Sequence, residues 1–312
     1  LSTPAGVRIK AIDNFLSLEY TRAINDVGAL TIRLPASFNR YAVALDSRLE
    51  VWRVLQGGAE YLDTETVWFV RGFRQETAAN GERSVTLRAV SANELLRRRI
   101  VAYAAGTSYT TKEYAADDLI KGIVDENLGS LSGTASRDPS TGDKTGDNLS
   151  AYIRVPANEG LGALVKKSFS RRNVLTVCQE VAQASIAAGT YIAFDVVWTG
   201  AILELRTYLN QRGADHRVVG GLAGALLLGP EYGNLVDVAL DEDYSQEVTV
   251  ALAYGDGVGS DRASYVLPDA TRRDASIFNR REIAVDSRSG DTSTTSLYST
   301  QLTGDAQAAL RA

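Results

Sequence analysis

The sequence predicts a mainly β fold with helices (α+β): two β-barrel or tube-like domains joined by a helix-containing middle section. Three observations point there. Short runs of apolar residues alternating with polar ones crowd positions 7–90 and resume after Pro230. Turn-forming Asn and Gly residues separate them. Helical periodicity is confined to the middle of the chain and its last segment. The 312 residues suit about two domains by length alone. Composition divides them into an N-terminal barrel over 1–105, a mixed section over 106–230 and a second β-rich section over 231–312.

Strands are expected over Val7–Ile12, Leu30–Leu34, Leu49–Leu55, Val67–Val70 and Val85–Val90. Period-two alternation puts one face of each in a core and the other towards solvent or a partner. Asn25–Gly28, Gln56–Gly58 and Asn80–Gly81 are turn signals between them, and Asn-Gly favours a tight hairpin turn. Ser91 is placed to cap a short helix over 92–98. Thr110 and Glu113 have capping-box spacing, which predicts a helix running to Leu128 with Gly129 as a left-handed stop. Leu119, Ile120, Ile123, Val124 and Leu128 form its apolar stripe.

Residues 130–150 read as a polar surface insertion. A second helix is expected from about Ser170 to Gly189, with Val174, Cys178, Val181 and Ser185 on one face. Tyr191–Trp198 and Ala201–Thr207 then form a hairpin across Thr199 and Gly200. Strands resume at Leu235–Leu240, Glu247–Tyr254, Arg262–Leu267 and Arg281–Val285, and Ser293–Leu310 is helical.

Composition narrows the function. Hydrophobic residues make up 45% of the chain, enough for a sizeable core rather than a disordered chain. The net charge of −5 gives no general attraction to nucleic acid or anionic lipid. One cysteine, Cys178, rules out an intrachain disulfide. No apolar stretch approaches the roughly 20 residues that span a bilayer. The sequence begins at Leu1 rather than Met, which is read as a processed or incomplete N-terminus.

No catalytic, metal or cofactor site stands out. Cys178 lies on the apolar face of a helix and reads as core rather than nucleophile. His216, between Asp215 and Arg217, has no evident partner set for catalysis. Asp241–Asp243 fails the calcium-loop pattern because Gln246 stands where that loop needs glycine. Gly255–Gly259 leads into a strand, so it reads as a link between antiparallel strands rather than a phosphate loop. Arg97–Arg99 is a short basic run at a helix end, without the aromatic interleaving of a nucleic-acid surface. Carboxylate pairs in space are not legible in a sequence with 38 acidic residues. The apolar run Gly220–Gly229 reads as a buried strand or a subunit contact, with Leu222, Leu226, Leu227 and Leu228 as candidate interface residues.

Several segments, in order, resemble the tail-tip hub proteins of long-tailed phages, a family related to contractile-tail baseplate hubs. Leu18-Glu-Tyr-Thr-Arg22, Asn25–Gly28 and Leu30-Thr-Ile-Arg-Leu-Pro35 resemble their opening hairpin. Ala89–Val101, with its Leu-Leu and Arg run, resembles the end of their first barrel. Ala116–Asn127 and Asn173–Ala182 resemble the helices that follow. Gly233–Leu235, Tyr254–Arg262, Asn279–Glu282 and Val285–Asp286 keep the order expected of the later strands.

The resemblance implies a non-enzymatic virion protein of the tail tip, assembled in the host cytoplasm. Such hubs form a homotrimer whose six barrels match the sixfold tail tube above and a threefold tip below. Its implied partners are the distal tail protein, tail tube, tape measure protein and tip or receptor-binding proteins, with DNA only in transit. Hubs of this kind usually continue past the C-terminal helix into further strands. Two other readings stand beside it: a tail-associated cell-wall hydrolase or peptidase, and a receptor- or carbohydrate-binding module using the loop Asp138–Asp147.

Overall fold

The computed structural model describes residues 1–54, 60–77, 81–102, 110–132, 149–169, 171–210, 241–287 and 295–311, with isolated positions 212, 213, 216, 225, 227, 229 and 239. The fold is α+β and mostly β. The chain divides into two compact units: Leu1–Ser185 with Tyr191–Leu209, and Ile186–Thr190 with Asn210–Ala312.

The first unit is built on β1 (Ser17–Thr21), β2 (Ala29–Pro35), β3 (Arg48–Val54), β4 (Glu60–Thr77) and β5 (Arg83–Ser91). They form one sheet in the order β1-β2-β5-β4-β3, each pair antiparallel. Leu30, Ile32 and Leu34 of β2 and Val85, Leu87 and Ala89 of β5 are buried on one face, as period-two alternation requires. Each of the Leu, Ile and Val side chains contributes about 1.5–3 kcal/mol by leaving water. β4 is apolar without a break over Val67–Val70 because both its faces are covered. Trp68 and Val70 join the β2–β5 core, while Val67 and Phe69 join a second core on the other face.

That second core is formed by α1 (Glu94–Arg97), β6 (Thr110–Ala115), α2 (Ala116–Asn127), β7 (Ile153–Arg154), β8 (Leu164–Phe169), α3 (Val174–Ala187), β9 (Ile192–Trp198) and β10 (Leu203–Leu209). β6 pairs with β8; β9 and β10 form the expected hairpin, with β7 added to β10. Leu119, Ile120, Ile123, Val124 and Leu128 are fully buried, so the stripe read from α2 is its core face. Val174, Cys178, Val181 and Ser185 are likewise buried together along α3. Gly189, at positive φ, follows the end of α3 as expected.

Four local expectations are corrected. Val7–Ile12 is not a strand: Arg8 makes one isolated bridge to Ser2, and Val7 is 67% exposed. Ser91 is not a helix cap. It ends β5, its hydroxyl accepts the Gly28 amide, and α1 begins two residues past Ala92. Thr110–Glu113 is strand, not capping box. Pairing with β8 competes successfully for those backbone groups, and α2 starts at Ala116 with no side-chain cap. Gly129 has no left-handed φ; it is small because a Cβ there would lie 2.1 Å from Asp125 Oδ1, which accepts the Ser130 amide. The expected features at Leu55–Gly58, Asn80, residues 133–148 and Leu235–Val238 lie outside the described residues.

In the second unit β11 (Val250–Tyr254) lies between antiparallel β12 (Ser264–Pro268) and parallel β13 (Glu282–Asp286). Gly255–Gly259 therefore links two antiparallel strands, as its sequence context predicts. A short helix α4 (Ala270–Arg273), capped by the Asp269 carboxylate on the Arg272 amide, begins the path to β13. One sheet face packs on α5 (Thr295–Arg311) through Ala251, Ala253, Leu302 and Ala306. The opposite face carries the cross-strand row Val266, Leu252 and Ala284, of which Val266 and Ala284 are exposed.

Candidate functional site

The sheet of the first unit curls enough for its two outer strands to meet. Arg53 of β3 donates to the hydroxyl of Tyr20 on β1, Tyr20 donates to Asp63 of β4, and Arg53 Nε lies 3.3 Å from Asp63. β1 and β3 run in the same direction, because four antiparallel steps separate them. They converge at these C-terminal ends. The space left towards their N-terminal ends is a cleft of about 650 Å³. Leu18, Leu30, Ile32 and Leu62 supply apolar walls; Glu50, Glu60 and Glu65 bring carboxylates, and Arg8 and Lys10 bring cations.

Trp52, half-exposed in this cleft, is oriented by its indole N–H donating to Glu50 Oε2 at 3.1 Å. At the start of the same strand Arg48 is only 2% exposed. Its guanidinium carbon lies 4.8 Å from the Trp198 ring centre and 5.7 Å from that of Phe69. Its Nε and Nη1 are buried without hydrogen-bond partners. Burial lowers the Arg48 pKa, and the nearby Glu50 charge opposes that shift. An aromatic sandwich compensates part of the lost hydration of the cation.

The turn Asn25–Gly28 is a second built feature. Asn25 has positive φ, its side-chain amide donates to Ile192 O, and its side-chain oxygen accepts the Phe194 amide at 2.7 Å. Asn93 adds one bond further along β9 by accepting from Val196 N, and its side-chain amide donates to Asp26 O of the turn. Two asparagines thus stand in for a neighbouring strand on β9. Gly28 is required by close approach: a Cβ there would meet Thr21 O at 2.5 Å.

The groups that could have carried chemistry are placed otherwise. Cys178 is fully buried and desolvation pushes its thiol to about 12, far from a nucleophile at neutral pH. His216 is exposed. Asp243 is occupied by the amide and hydroxyl of Ser245, which hold its carboxyl below the usual range. Among the described residues no group of His, Cys, Asp and Glu side chains is placed to hold a metal ion. Arg97 and Arg98 pair with Glu94, and Arg98 also forms a two-pronged bond to Asp46. The basic run is thus largely engaged within the chain.

Of the four candidate interface leucines, Leu222, Leu226 and Leu228 lie outside the described residues, and Leu227 is half-buried. Sequence reasoning missed an adjacent pair of strongly exposed apolar residues. Ile277 is 90% exposed and Phe278 85% exposed, in the segment between α4 and β13. They form an adjacent pair with neither helical nor strand periodicity, so pattern reading passes over them. Among the described residues no helix is long and apolar enough to cross a membrane.

The fold and these surfaces define a mainly β scaffold that leaves some apolar residues exposed. No protein-family model matches the sequence, and no curated protein sequence matches it significantly. Among solved structures the chain is similar to the prophage tail protein gp18 from Listeria monocytogenes EGD-e, with 12% identity and a TM-score of 0.49, over 96% of this chain and 74% of that one. It is also similar to the E. coli c3393 protein, a type VI secretion component described as resembling the T4 bacteriophage tail proteins gp27 and gp5. There the identity is 12% and the TM-score 0.33, over 64% of this chain and 48% of that one. Neither likeness assigns this chain an activity or a partner.

Proposed function

We propose that the chain is a structural subunit of a phage tail or tail-like particle, acting as a hub at the tail tip. The observation that carries this reading is the ordered set of hub-like segments and the elements they occupy. Leu18–Arg22 and Leu30–Pro35 span the β1–β2 hairpin, and Ala89–Val101 spans the strand-to-helix junction of β5 and α1. Tyr254–Arg262 spans the link from β11 to β12. In this reading three copies form a ring between the sixfold tube and the threefold tip, enclosing a channel for tape measure and then DNA. The work is symmetry matching rather than bond chemistry.

Exposed apolar residues such as Ile277 and Phe278 support an assembling rather than a solitary chain. Light scattering on the purified chain, with negative-stain images, tests the reading. A trimer that closes a ring is expected; a stable monomer at assembly concentrations overturns it. Clearing of host cell wall by the chain alone in a zymogram would overturn the structural assignment in favour of a hydrolase.

A further inference from the structure

Ile277 and Phe278 stand at the tip of a turn that is built rather than loose. The Phe278 amide donates to the Ser276 hydroxyl, and the Asn279 amide to Ser276 O. Behind the tip the Asn279 side chain donates to Glu247 Oε2 and to Arg272 O of α4. The Asn279 carbonyl accepts the hydroxyl of buried Thr249 at 2.6 Å, and that hydroxyl accepts the Arg281 amide. The turn is thus fastened to α4 and to the residue before β11. Its two apolar side chains nevertheless belong to none of the chain's cores. An apolar tip held rigid in advance loses little entropy on docking, which is what an interface anchor needs.

The cleft between β1 and β3 has the size and chemistry to receive such a tip. Its volume of about 650 Å³ is that of a pocket able to enclose a compact apolar group. Leu18 and Leu62 supply apolar wall, and Phe15 and Trp52 line it with 45% and 53% of their surface in water. Two exposed aromatics suit a third ring packed edge-on or offset. Charges match on both sides of the tip. Arg280 and Arg281 follow it and complement Glu50 and Glu60 of the cleft, and Asp274 precedes it and complements Arg8 and Lys10. Arg280 and Asp274 pair within the chain to Glu282 and Arg273, exposed pairs of the kind that exchange at little cost. We propose that the Ile277–Phe278 tip of one copy inserts into the β1–β3 cleft of the next. Tip and cleft are different surfaces, so the contact is head-to-tail. Its closure into a ring rests on the reading given under Proposed function; the tip-in-cleft contact itself does not.

The test uses the full chain. Ile277→Ser with Phe278→Ser changes two exposed residues, so its unfolding temperature should match that of the unaltered chain while light scattering shows association weakened about a hundredfold or more. An unaltered chain that assembles beside a variant that assembles equally well overturns the tip-in-cleft contact and leaves the ring reading standing. An unaltered chain that stays monomeric overturns both. Tryptophan emission reads the cleft directly, because Trp68 and Trp198 are only 1% and 9% exposed and Trp52 alone can lose much water. Emission at shorter wavelength is expected for the assembled chain than for the tip variant, and identical emission overturns the proposal. Mixing tests the head-to-tail geometry. The tip variant and the cleft variant Trp52→Glu should each be monomeric, and together they should form a one-to-one dimer through the one intact tip and the one intact cleft. Failure of the mixture to pair overturns the contact.

Discussion

Tyr20 and Arg53 lie on opposite outer strands of a five-stranded sheet, and the guanidinium of Arg53 donates to the hydroxyl of Tyr20. A flat sheet would keep strands four places apart by roughly 19 Å, four times the ordinary strand spacing. Their contact therefore records how far the sheet has curled. Asp63 holds both partners, so a phenol, a guanidinium and a carboxylate form one seam.

Tyr20→Phe keeps the ring, which packs edge-on against Trp68, and removes only the hydroxyl. The hydroxyl accepts from Arg53 and donates to Asp63, so the variant loses two hydrogen bonds and should lose about 1–3 kcal/mol, twice the usual net value of one. Urea unfolding with an unchanged m-value checks it. A loss of m would mean that the seam also governs compactness.

Asn25→Ala removes two bonds to β9 and a residue that tolerates positive φ. The amide of Phe194 is then left without its acceptor, which costs about 1–3 kcal/mol. Asn25→Gly, which restores the backbone freedom but not the bonds, should recover part of the loss. Thermal unfolding of the two variants side by side separates backbone strain from hydrogen bonding.

Lys121 is buried with its ammonium 3.1 Å from Asp117 Oδ2, Ala157 O and Glu159 Oε1. Asp117 in turn accepts the Leu161 amide at 2.5 Å, pinning the segment before β8 onto α2. Lys121→Ala leaves a buried carboxylate without its cation and should cost about 3–5 kcal/mol. Lys121→Met with Asp117→Leu should cost less than Lys121→Ala, because no buried charge is left stranded and the Leu161 amide alone loses its acceptor. Denaturant midpoints for the two variants decide it.

Asp46 and Glu204 give the chain an acid-sensitive side. Burial raises both pKa values, but Arg98 and Arg71 at Asp46, and Arg206 and Arg154 at Glu204, outweigh it and leave both lowered. Their ordinary values are 3.8 and 4.5. A lowered folded pKa means that the unfolded chain takes up protons first as pH falls. The stabilisation is complete above the ordinary values and is lost as pH drops through the lowered ones. Stability measured from pH 6 downward should hold until about 4.5 and then decline, and Asp46→Asn should flatten that decline.

Much of the frame was legible in the residues. Leu30, Ile32 and Leu34 alternate because β2 has one buried face, and the unbroken Val67–Val70 run is apolar because β4 has two. The stripe of α2 and the hairpin at Thr199–Gly200 were likewise visible, since both depend on neighbours close in sequence. Thr110–Glu113 was misread because a capping box and a strand edge offer the same hydroxyl and carboxylate, and only the arrival of β8 decides between them. Val7–Ile12 has a strand's pattern but bonds only to the short segment Leu1–Thr3 instead of joining a ladder, because pattern specifies which face is apolar and not what covers it.

By itself, then, the sequence determined the α+β class and the core faces of its strongly periodic elements, since these follow from residue type and local spacing. Tertiary structure alone decided that Tyr20 meets Arg53, that Asn25 and Asn93 serve β9 as a neighbouring strand would, and that Arg48 is buried between Phe69 and Trp198. Each of those contacts joins residues more than twenty positions apart. Sheet curvature and the packing of whole layers bring them together, and no local pattern encodes either.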